Sequence, residues 1–264
     1  MKGLTALALA AMLAFGSASV LAAGTTSGTP SSKATAAINT AVGCTFAAVS
    51  TIGDTLPGTC HDIFSGASVP VTPDNFATVM STTIKLSNSQ SLFVSPSLVT
   101  GLYTRTKTKT TTGSTSSATA MGGIYLRAVV TNLGSGVAQT GYPVADCTGD
   151  VLGCALVGGK FGVTLDERVQ ALTQSLSDCV VNVGTLTGTC TFTLTTDLIL
   201  KTTSAHTFNF IFPNVGVGTY RIDIQTAVNA NASVSGTATA IGAAAYGLGS
   251  LTVESVRLVH DFSF

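Results

Sequence analysis

Tryptophan is absent from this 264-residue chain, and charged residues make up only 9% of it. An average globular domain has about 25% charged residues, and the twelve basic and twelve acidic side chains here cancel. Because nucleic acid requires a basic surface, we exclude a nucleic-acid partner. The lack of tryptophan argues against sugar binding by ring stacking, although Tyr103, Tyr125, Tyr142 and Tyr220 offer smaller aromatic rings.

The sequence also lacks the short motifs that mark common catalytic and metal sites. Its histidines, His61, His206 and His260, form no HExxH or HxH pattern, and no GxSxG turn is present. A Ser/His/Asp triad is not excluded by sequence, but His206 beside two phenylalanines is typical of a strand end. We therefore expect no catalytic residue, no metal and no cofactor, and we rank a hydrolase as a lesser alternative.

Acidic residues are few, with ten aspartates and only two glutamates. The closest groups are Asp146 with Asp150 and Asp166 with Glu167. The first pair lies beside two cysteines and suits calcium in principle, but a polar turn is the simpler interpretation.

The amino terminus has the three-part pattern of a secretory signal. Positively charged Met1-Lys2 precedes an apolar stretch at Leu4–Phe15, which small residues follow. A membrane span needs about 20 apolar residues, so an N-terminal anchor ranks below a removable signal peptide of residues 1–23, cut after Ala22 or Ala23. No later stretch predicts a transmembrane helix. We expect a secreted protein, extracellular or at the cell surface, with the periplasm as the alternative.

Six cysteines follow the predicted signal: Cys44, Cys60, Cys147, Cys154, Cys179 and Cys190. An even number in a secreted chain predicts disulfides rather than free thiols. The spacing favours sequential pairing, because each neighbouring pair flanks a turn-like segment. The absence of a CxxC pair argues against cysteine-bound metal.

Short runs of Val, Leu, Ile and Phe, interrupted by Thr, Ser and Gly, fill the rest of the chain and favour β-strands. Phe76–Leu86 alternates clearly, whereas Phe161–Leu176 is ambiguous between a helical turn and a strand. About ten strands at spacings of roughly 10–15 residues predict an all-β, disulfide-stapled, two-sheet sandwich with jelly-roll-like connectivity. We expect a flexible segment at 24–40 and one domain at 41–264.

The most regular pattern predicts a long hairpin between Leu98–Lys109 and Ala118–Val130. Within it Arg105, Lys107 and Lys109 alternate with threonines and share one face. The simpler interpretation is a solvated strand that guards a sheet edge at Thr104–Thr110; the alternative is a binding stripe for an acidic polymer. A less guarded edge is predicted at the Gly/Ala-rich strand Ser233–Gly242.

Together these features favour a non-enzymatic structural or adhesive protein that acts through protein contacts. A Thr/Ser surface with no net charge gives little repulsion between copies, so self-association or another surface protein is the expected partner. The alternative is a module that binds a carbohydrate or another ligand. An outer-membrane β-barrel is a lesser alternative, suggested by the aromatic terminus Phe262-Ser263-Phe264.

Peptide mapping without reduction should recover the links Cys44–Cys60, Cys147–Cys154 and Cys179–Cys190. Closing loops this short restrains the unfolded chain by roughly 2–3 kcal/mol per link. A crossed pair or a free thiol in the secreted chain would contradict sequential pairing.

Overall fold

The computed structural model describes residues 33–65, 69–70, 75–147, 151–177, 179–183 and 186–257. At 69–70, 179–183 and 186–190 it describes the backbone alone. The predicted signal peptide and most of the segment before residue 33 lie outside these ranges. Asp150, His260 and the aromatic terminus at 262–264 lie outside them as well.

The described residues form almost entirely β-structure, with 3-10 turns at Cys60–Asp62 and Val144–Asp146. The strands are β1 (Ala34–Asn39), β2 (Gly43–Ser50), β3 (Val69–Pro70), β4 (Ala77–Leu86), β5 (Gln90–Thr111), β6 (Ser114–Asn132), β7 (Ala138–Thr140), β8 (Cys154–Val157), β9 (Lys160–Leu176), β10 (Cys179–Val183), β11 (Leu186–Cys190), β12 (Thr193–Thr207), β13 (Phe210–Val215), β14 (Gly218–Ser235) and β15 (Ala238–Val256). Strand β1 lies inside the segment 24–40 that the composition predicts to be flexible, and the ambiguous stretch Phe161–Leu176 belongs to strand β9.

Two sheets make the sandwich that the sequence predicts. The first sheet has the order β12-β5-β15-β2-β3, with β1 also paired to β15 and β13 to β5. The second has the order β4-β14-β6-β9-β8, with β7 paired to β6. Strands β10 and β11 form a separate hairpin. The total exceeds the predicted ten because short strands such as β1, β7 and β13 pair with the long ones.

The main strands follow a jelly-roll path. In the first sheet they are β12, β5, β15 and β2, and in the second they are β4, β14, β6 and β9. The chain changes sheet at almost every connection, and only β6 and β9 are consecutive main strands in one sheet. The predicted all-β fold with jelly-roll-like connectivity is therefore confirmed.

The predicted hairpin between Leu98–Lys109 and Ala118–Val130 is wrong. Strands β5 and β6 are consecutive, but they lie in different sheets, and the turn Thr112-Gly113 carries the chain from one to the other. The predicted strand Ser233–Gly242 is also wrong, because it spans the turn Gly236-Thr237 between β14 and β15. Alternation indicates a strand but does not say which strand it pairs with.

Small residues allow the two sheets to meet backbone to backbone near these turns. A Cβ atom on Gly122 of β6 would collide with the carbonyl oxygen of Ala243 in β15. One on Gly242 would collide with Met121 and would lie 2.6 Å from the carbonyl oxygen of Asn231. Four buried alanines pack beside this contact: Ala118, Ala120, Ala238 and Ala240. We call this close contact the Gly/Ala seam.

Large side chains fill the other end of the sandwich. The largest fully buried ones there are Ile84, Leu86, Leu92, Leu98, Leu126, Phe210, Phe212, Ile222, Ile224 and Leu251. They come from both sheets and interdigitate between them. This hydrophobic core carries most of the apolar burial that stabilises the fold.

The described disulfides follow the predicted sequential order. Cys44 is bonded to Cys60 and Cys147 to Cys154, with Cα–Cα distances of 6.2 Å and 5.9 Å. The backbone register places Cys179 directly opposite Cys190 in the β10–β11 hairpin, but the side chains of that pair lie outside the described residues. Within the described ranges, no helix combines the length and the apolar character needed to cross a membrane.

The Gly/Ala seam predicts an asymmetry between two glycines of β15. Gly242→Ala should lower the free energy of unfolding by about 1–3 kcal/mol, because the new methyl group has no room between the sheets. Gly247→Ala is the matched control, since its Cβ would meet only Val42 Cγ2, at an ordinary 3.7 Å. Urea denaturation measures both, and equal effects would contradict the close approach of the sheets.

Candidate protein interface

The predicted edge at Thr104–Thr110 is wrong, because β5 is an inner strand. Its register pairs it with β12 on one side and with β15 on the other over this whole segment except its last two residues, which only β12 reaches. Arg105, Lys107 and Lys109 do share one face of β5, opposite the buried threonines between them. The three cations therefore lie across the middle of a sheet surface and guard no edge.

Two of the three cations have carboxylate partners within the chain. The Arg105 guanidinium donates to Asp197 of β12 through Nε and Nη2, at 3.0 Å and 2.7 Å. Lys107 Nζ donates to Asp54 at 2.8 Å, and Asp54 also lies 3.5 Å from Arg105. Lys109 is exposed and makes no ion pair with a described residue. These internal partners weaken the interpretation of the stripe as a site for an acidic polymer.

The same contacts shift the acid–base equilibria of the pair-forming groups. The hydrogen bond from Lys107 holds the pKa of Asp54 below its ordinary value of 3.8. The hydrogen bond to Asp197 raises the pKa of Arg105. Both groups therefore stay charged, and they fix the loop after β2 against the outer face of the first sheet.

The inner face of the same β5 segment is polar, with Thr104, Thr106, Thr108 and Thr110 fully buried. Glutamines of β9 in the second sheet satisfy these hydroxyls. Gln170 accepts from Thr104 at 2.6 Å and donates to Thr106 at 2.9 Å, and Gln174 accepts from Thr108 at 2.8 Å. Gln170 also donates to the backbone carbonyl of Leu198 in β12 at 3.3 Å. The two sheets are thus tied by side-chain hydrogen bonds where large apolar residues do not fit.

A cluster of hydroxyl, imidazole and carboxyl groups lies between β12, β5 and β9, further along these strands. Ser204 Oγ is 2.7 Å from His206 Nε2, and Asp166 Oδ2 is 3.4 Å from the same nitrogen. Thr100 donates to that carboxylate at 2.7 Å. In a Ser-His-Asp triad the aspartate contacts the other ring nitrogen, so this cluster lacks the triad arrangement. It joins β12 to β9.

Neighbouring acidic residues do not act as a pair. Asp166 points toward Thr100 and His206, whereas Glu167, the next residue on the strand, is exposed and accepts a hydrogen bond from Tyr125. Across the described part of the chain, no three His, Cys, Asp or Glu side chains are grouped so that they could hold a metal ion.

Strand β12 leaves one backbone edge open over 15 residues. It pairs with β5 alone, and no strand among the described residues covers its other side. Just before the strand, the backbone carbonyl of Phe192 accepts from the Thr112 N–H, and just after it the Phe208 N–H donates to the Pro96 carbonyl. The register between these two residues is unbroken. Even-numbered residues therefore bond to β5, and the N–H and C=O groups of odd-numbered residues point outward.

The open edge also carries exposed apolar side chains at its centre. Leu198, Ile199 and Leu200 are 44%, 56% and 50% exposed. Asp197 and Lys201 flank them and are the only charged residues of β12 apart from the titratable His206. Long, apolar open edges promote pairing with another chain, and most proteins protect them with charge, proline or bulges. We call residues Thr193–Thr207 the β12 edge.

The four tyrosines considered for sugar stacking differ in exposure, and Tyr142 is half-buried. Tyr125 and Tyr220 are buried, so their rings cannot stack on a ligand. Tyr103 lines an open groove on the outer face of the first sheet, together with Asp62, Arg105 and Lys201. Partial burial raises the pKa of Tyr103. This open groove offers an aromatic ring beside charged groups to a small ligand.

Sequence reasoning missed the β12 edge, although a signal was present. Residues Cys190–Leu200 have a strand-like sequence, but that pattern by itself assigns no role to them. Three consecutive apolar residues, Leu198, Ile199 and Leu200, break the alternation of a strand with one buried face. They place apolar side chains on both faces, which only a fully covered strand or a contact surface accommodates.

No known protein family matches the sequence, and no curated protein does so either.

The pKa of Asp54 predicts a specific acid sensitivity. Because this pKa is lowered in the folded state, the stability that Asp54 contributes is present above its ordinary value and is lost as pH falls through the folded value. Asp54→Asn should therefore destabilise the protein near neutral pH, and its difference from wild type should shrink below about pH 4. Urea titrations across this pH range measure both proteins.

The exposed Asp146 supplies a control variant, Asp146→Asn, at a position away from the Lys107–Asp54 contact. If the difference in unfolding free energy between wild type and Asp54→Asn stays constant down to about pH 2, the Lys107 hydrogen bond does not cause the loss of stability in acid.

Proposed function

We propose that this chain is a non-enzymatic extracellular structural or adhesive protein that binds other protein chains by strand addition at the β12 edge. The observation that carries the proposal is the open 15-residue edge with an exposed apolar centre. In strand addition, backbone hydrogen bonds supply affinity and the alternating side chains supply specificity.

The energetics of the β12 edge fit this role. Each outward-facing N–H and C=O group of an odd-numbered residue can pair with an incoming strand, at about 0.5–1.5 kcal/mol net per hydrogen bond. The strand is already extended and held by β5, by Gln170 and by the contact of Arg168 with Thr202. An incoming strand therefore meets an ordered template, which lowers the entropic cost of binding.

The extracellular or cell-surface location is part of the same proposal. Disulfides such as Cys44–Cys60 and Cys147–Cys154 form and persist in oxidising compartments. The predicted signal peptide supports export, and the periplasm remains the alternative location. The low content of charged residues and the zero net charge support contact between proteins, since little electrostatic repulsion opposes it.

A ligand-binding module is the second candidate, and the groove beside Tyr103 favours it. Its charged groups are engaged within the chain: Asp62 accepts from the backbone of Gly58 and Thr59, and Lys201 donates to the Ile63 carbonyl. These internal contacts leave few free groups to orient a sugar, so strand addition ranks first.

Ile199→Pro tests the proposal at one backbone atom. The Ile199 N–H points away from β5, and proline is tolerated in an edge strand at such a position. The variant should fold as wild type does, while losing a donor and the geometry that a partner strand needs. Labelled protein is added to cells of the producing organism, and binding should fall at least about tenfold, equivalent to roughly 1.4 kcal/mol.

Ile199→Val is the matched control, because it keeps the N–H group and a branched side chain. Digestion of the cell-surface proteins with a protease should abolish wild-type binding, and a glycan array should give no specific sugar. Binding that survives protease and is unchanged in Ile199→Pro, or no binding that depends on the β12 edge at all, would overturn the proposal. A specific sugar hit that requires Tyr103 would promote the second candidate.

A further inference from the structure

We propose that the partner strand is the β12 edge of a second copy, paired antiparallel about a two-fold axis through Ile199. This inference rests on the proposed function and names the partner for it. The two copies would join their first sheets into one continuous sheet. A two-fold interface brings the same surface of both copies together, so that surface must complement itself.

The sequence of the β12 edge has this self-complementary form. From Thr195 to Thr203 it reads Thr-Thr-Asp-Leu-Ile-Leu-Lys-Thr-Thr. Read outward from Ile199 in either direction, it gives leucine, a charged residue, threonine and threonine. The two charged residues differ in sign, so the antiparallel partner of Asp197 is Lys201 of the other copy and the reverse.

The backbone accepts this register. Odd-numbered residues direct their N–H and C=O groups outward, so Ile199 exchanges two hydrogen bonds with Ile199 of the second copy. Asp197 and Lys201 are also odd-numbered, so they form the next hydrogen-bonded pairs on each side. Pairing with β5 therefore leaves outward the backbone groups of the odd-numbered residues, which are the ones that a two-fold axis at Ile199 needs.

Charge selects this register over its neighbours. Moving the axis to Asp197 would oppose two aspartates, and moving it to Lys201 would oppose two lysines. An axis at Leu198 or Leu200 leaves every charge opposite an uncharged residue. Only an axis at Ile199 opposes the two unlike charges, and cross-strand pairs of unlike charge stabilise antiparallel pairing.

Asp197 and Lys201 keep spare hydrogen-bonding capacity for these contacts beside the internal ones they already make. The Asp197 side chain is 33% exposed although it holds Arg105, and a carboxylate accepts more than two hydrogen bonds. Lys201 is exposed and uses one of its three donors on the Ile63 carbonyl. On the opposite face Leu198 would lie against Leu200 of the second copy, at the closer Cα spacing of about 4.5 Å. Apolar surface that is now exposed would then be buried.

Two-fold pairing also closes the assembly. Each copy uses its β12 edge once and leaves none for a third copy, so a discrete dimer forms where an unsymmetric contact would give a filament.

A charge-swap experiment tests the register. In a dimer of the Lys201→Glu variant, each cross-strand charge pair would oppose two carboxylates, and in a dimer of the Asp197→Lys variant each would oppose two ammonium groups. Sedimentation analysis should show that each variant alone dimerises at least about tenfold more weakly than wild type. An equal mixture should regain wild-type affinity, because both cross-strand pairs then unite unlike charges. Failure of the mixture to recover would overturn the pairing.

Cysteine cross-linking gives a second readout that does not depend on the charged residues. Ile199→Cys places two cysteines at a hydrogen-bonded pair, about 5.5 Å apart between Cα atoms, within disulfide range. Thr195→Cys is the matched control, since its own copy would lie roughly 27 Å away along the partner strand. Mixing Thr195→Cys with Thr203→Cys should restore the cross-link. Equal cross-linking by the two single variants would exclude this register.

The outcomes separate this inference from the proposed function. If wild type stays monomeric at every concentration while cell binding still requires the Ile199 N–H, another protein is the partner and this pairing is wrong. If the Ile199→Pro variant behaves as wild type in both assays, the proposed function fails as well.

Discussion

The contact between the two sheets at the Gly/Ala seam sets the conditions for the rest of the sandwich. At Gly122 and Gly242 the backbones of β6 and β15 touch, so no side chain fits between them. This proximity lets two-residue turns carry the chain from one sheet to the other. It also keeps large apolar residues out of this end, and the interior beside it is therefore built from alanine, threonine and glutamine. The hydrogen bonds of Gln170 and Gln174 follow from that narrow spacing, because buried hydroxyls need partners.

The interior is divided into a narrow polar end and a large hydrophobic core, and this division explains why β12 is so exposed. The large hydrophobic core lies at the other end and draws on β13, β14 and the start of β5. Strand β12 contributes no residue to it, and most of its side chains remain exposed. Backbone pairing with β5, the Arg105–Asp197 ion pair and polar contacts with β9 hold the strand in place. An edge held in this way stays ordered while its outer side is available.

Composition and alternation predicted the fold class well, because strand formation depends on local residue preferences. The stretch Phe76–Leu86 matches β4 to within one residue, and two predicted disulfides are present. Strand partners were predicted poorly. Whether Leu98–Lys109 pairs with the next strand or crosses to the other sheet depends on the distance between sheets, which contacts distant in sequence determine. The carboxylate that neutralises Lys107 lies 53 residues before it, and the one that neutralises Arg105 lies 92 residues after it, so local pattern could not reveal them. The position of the β12 edge depends on the same long-range contacts.

The small share of buried surface in β12 has a consequence for how this protein can change over time. Substitutions in most strands of the sandwich disturb the core or the Gly/Ala seam and lower stability. Substitutions at the exposed positions of β12 leave both untouched, so they are nearly neutral for folding. Under the proposed function, sequence drift can therefore alter which strand the edge recognises while the scaffold stays the same. Related chains that keep the sandwich but differ in β12 would then each pair only with chains whose edge sequence matches their own.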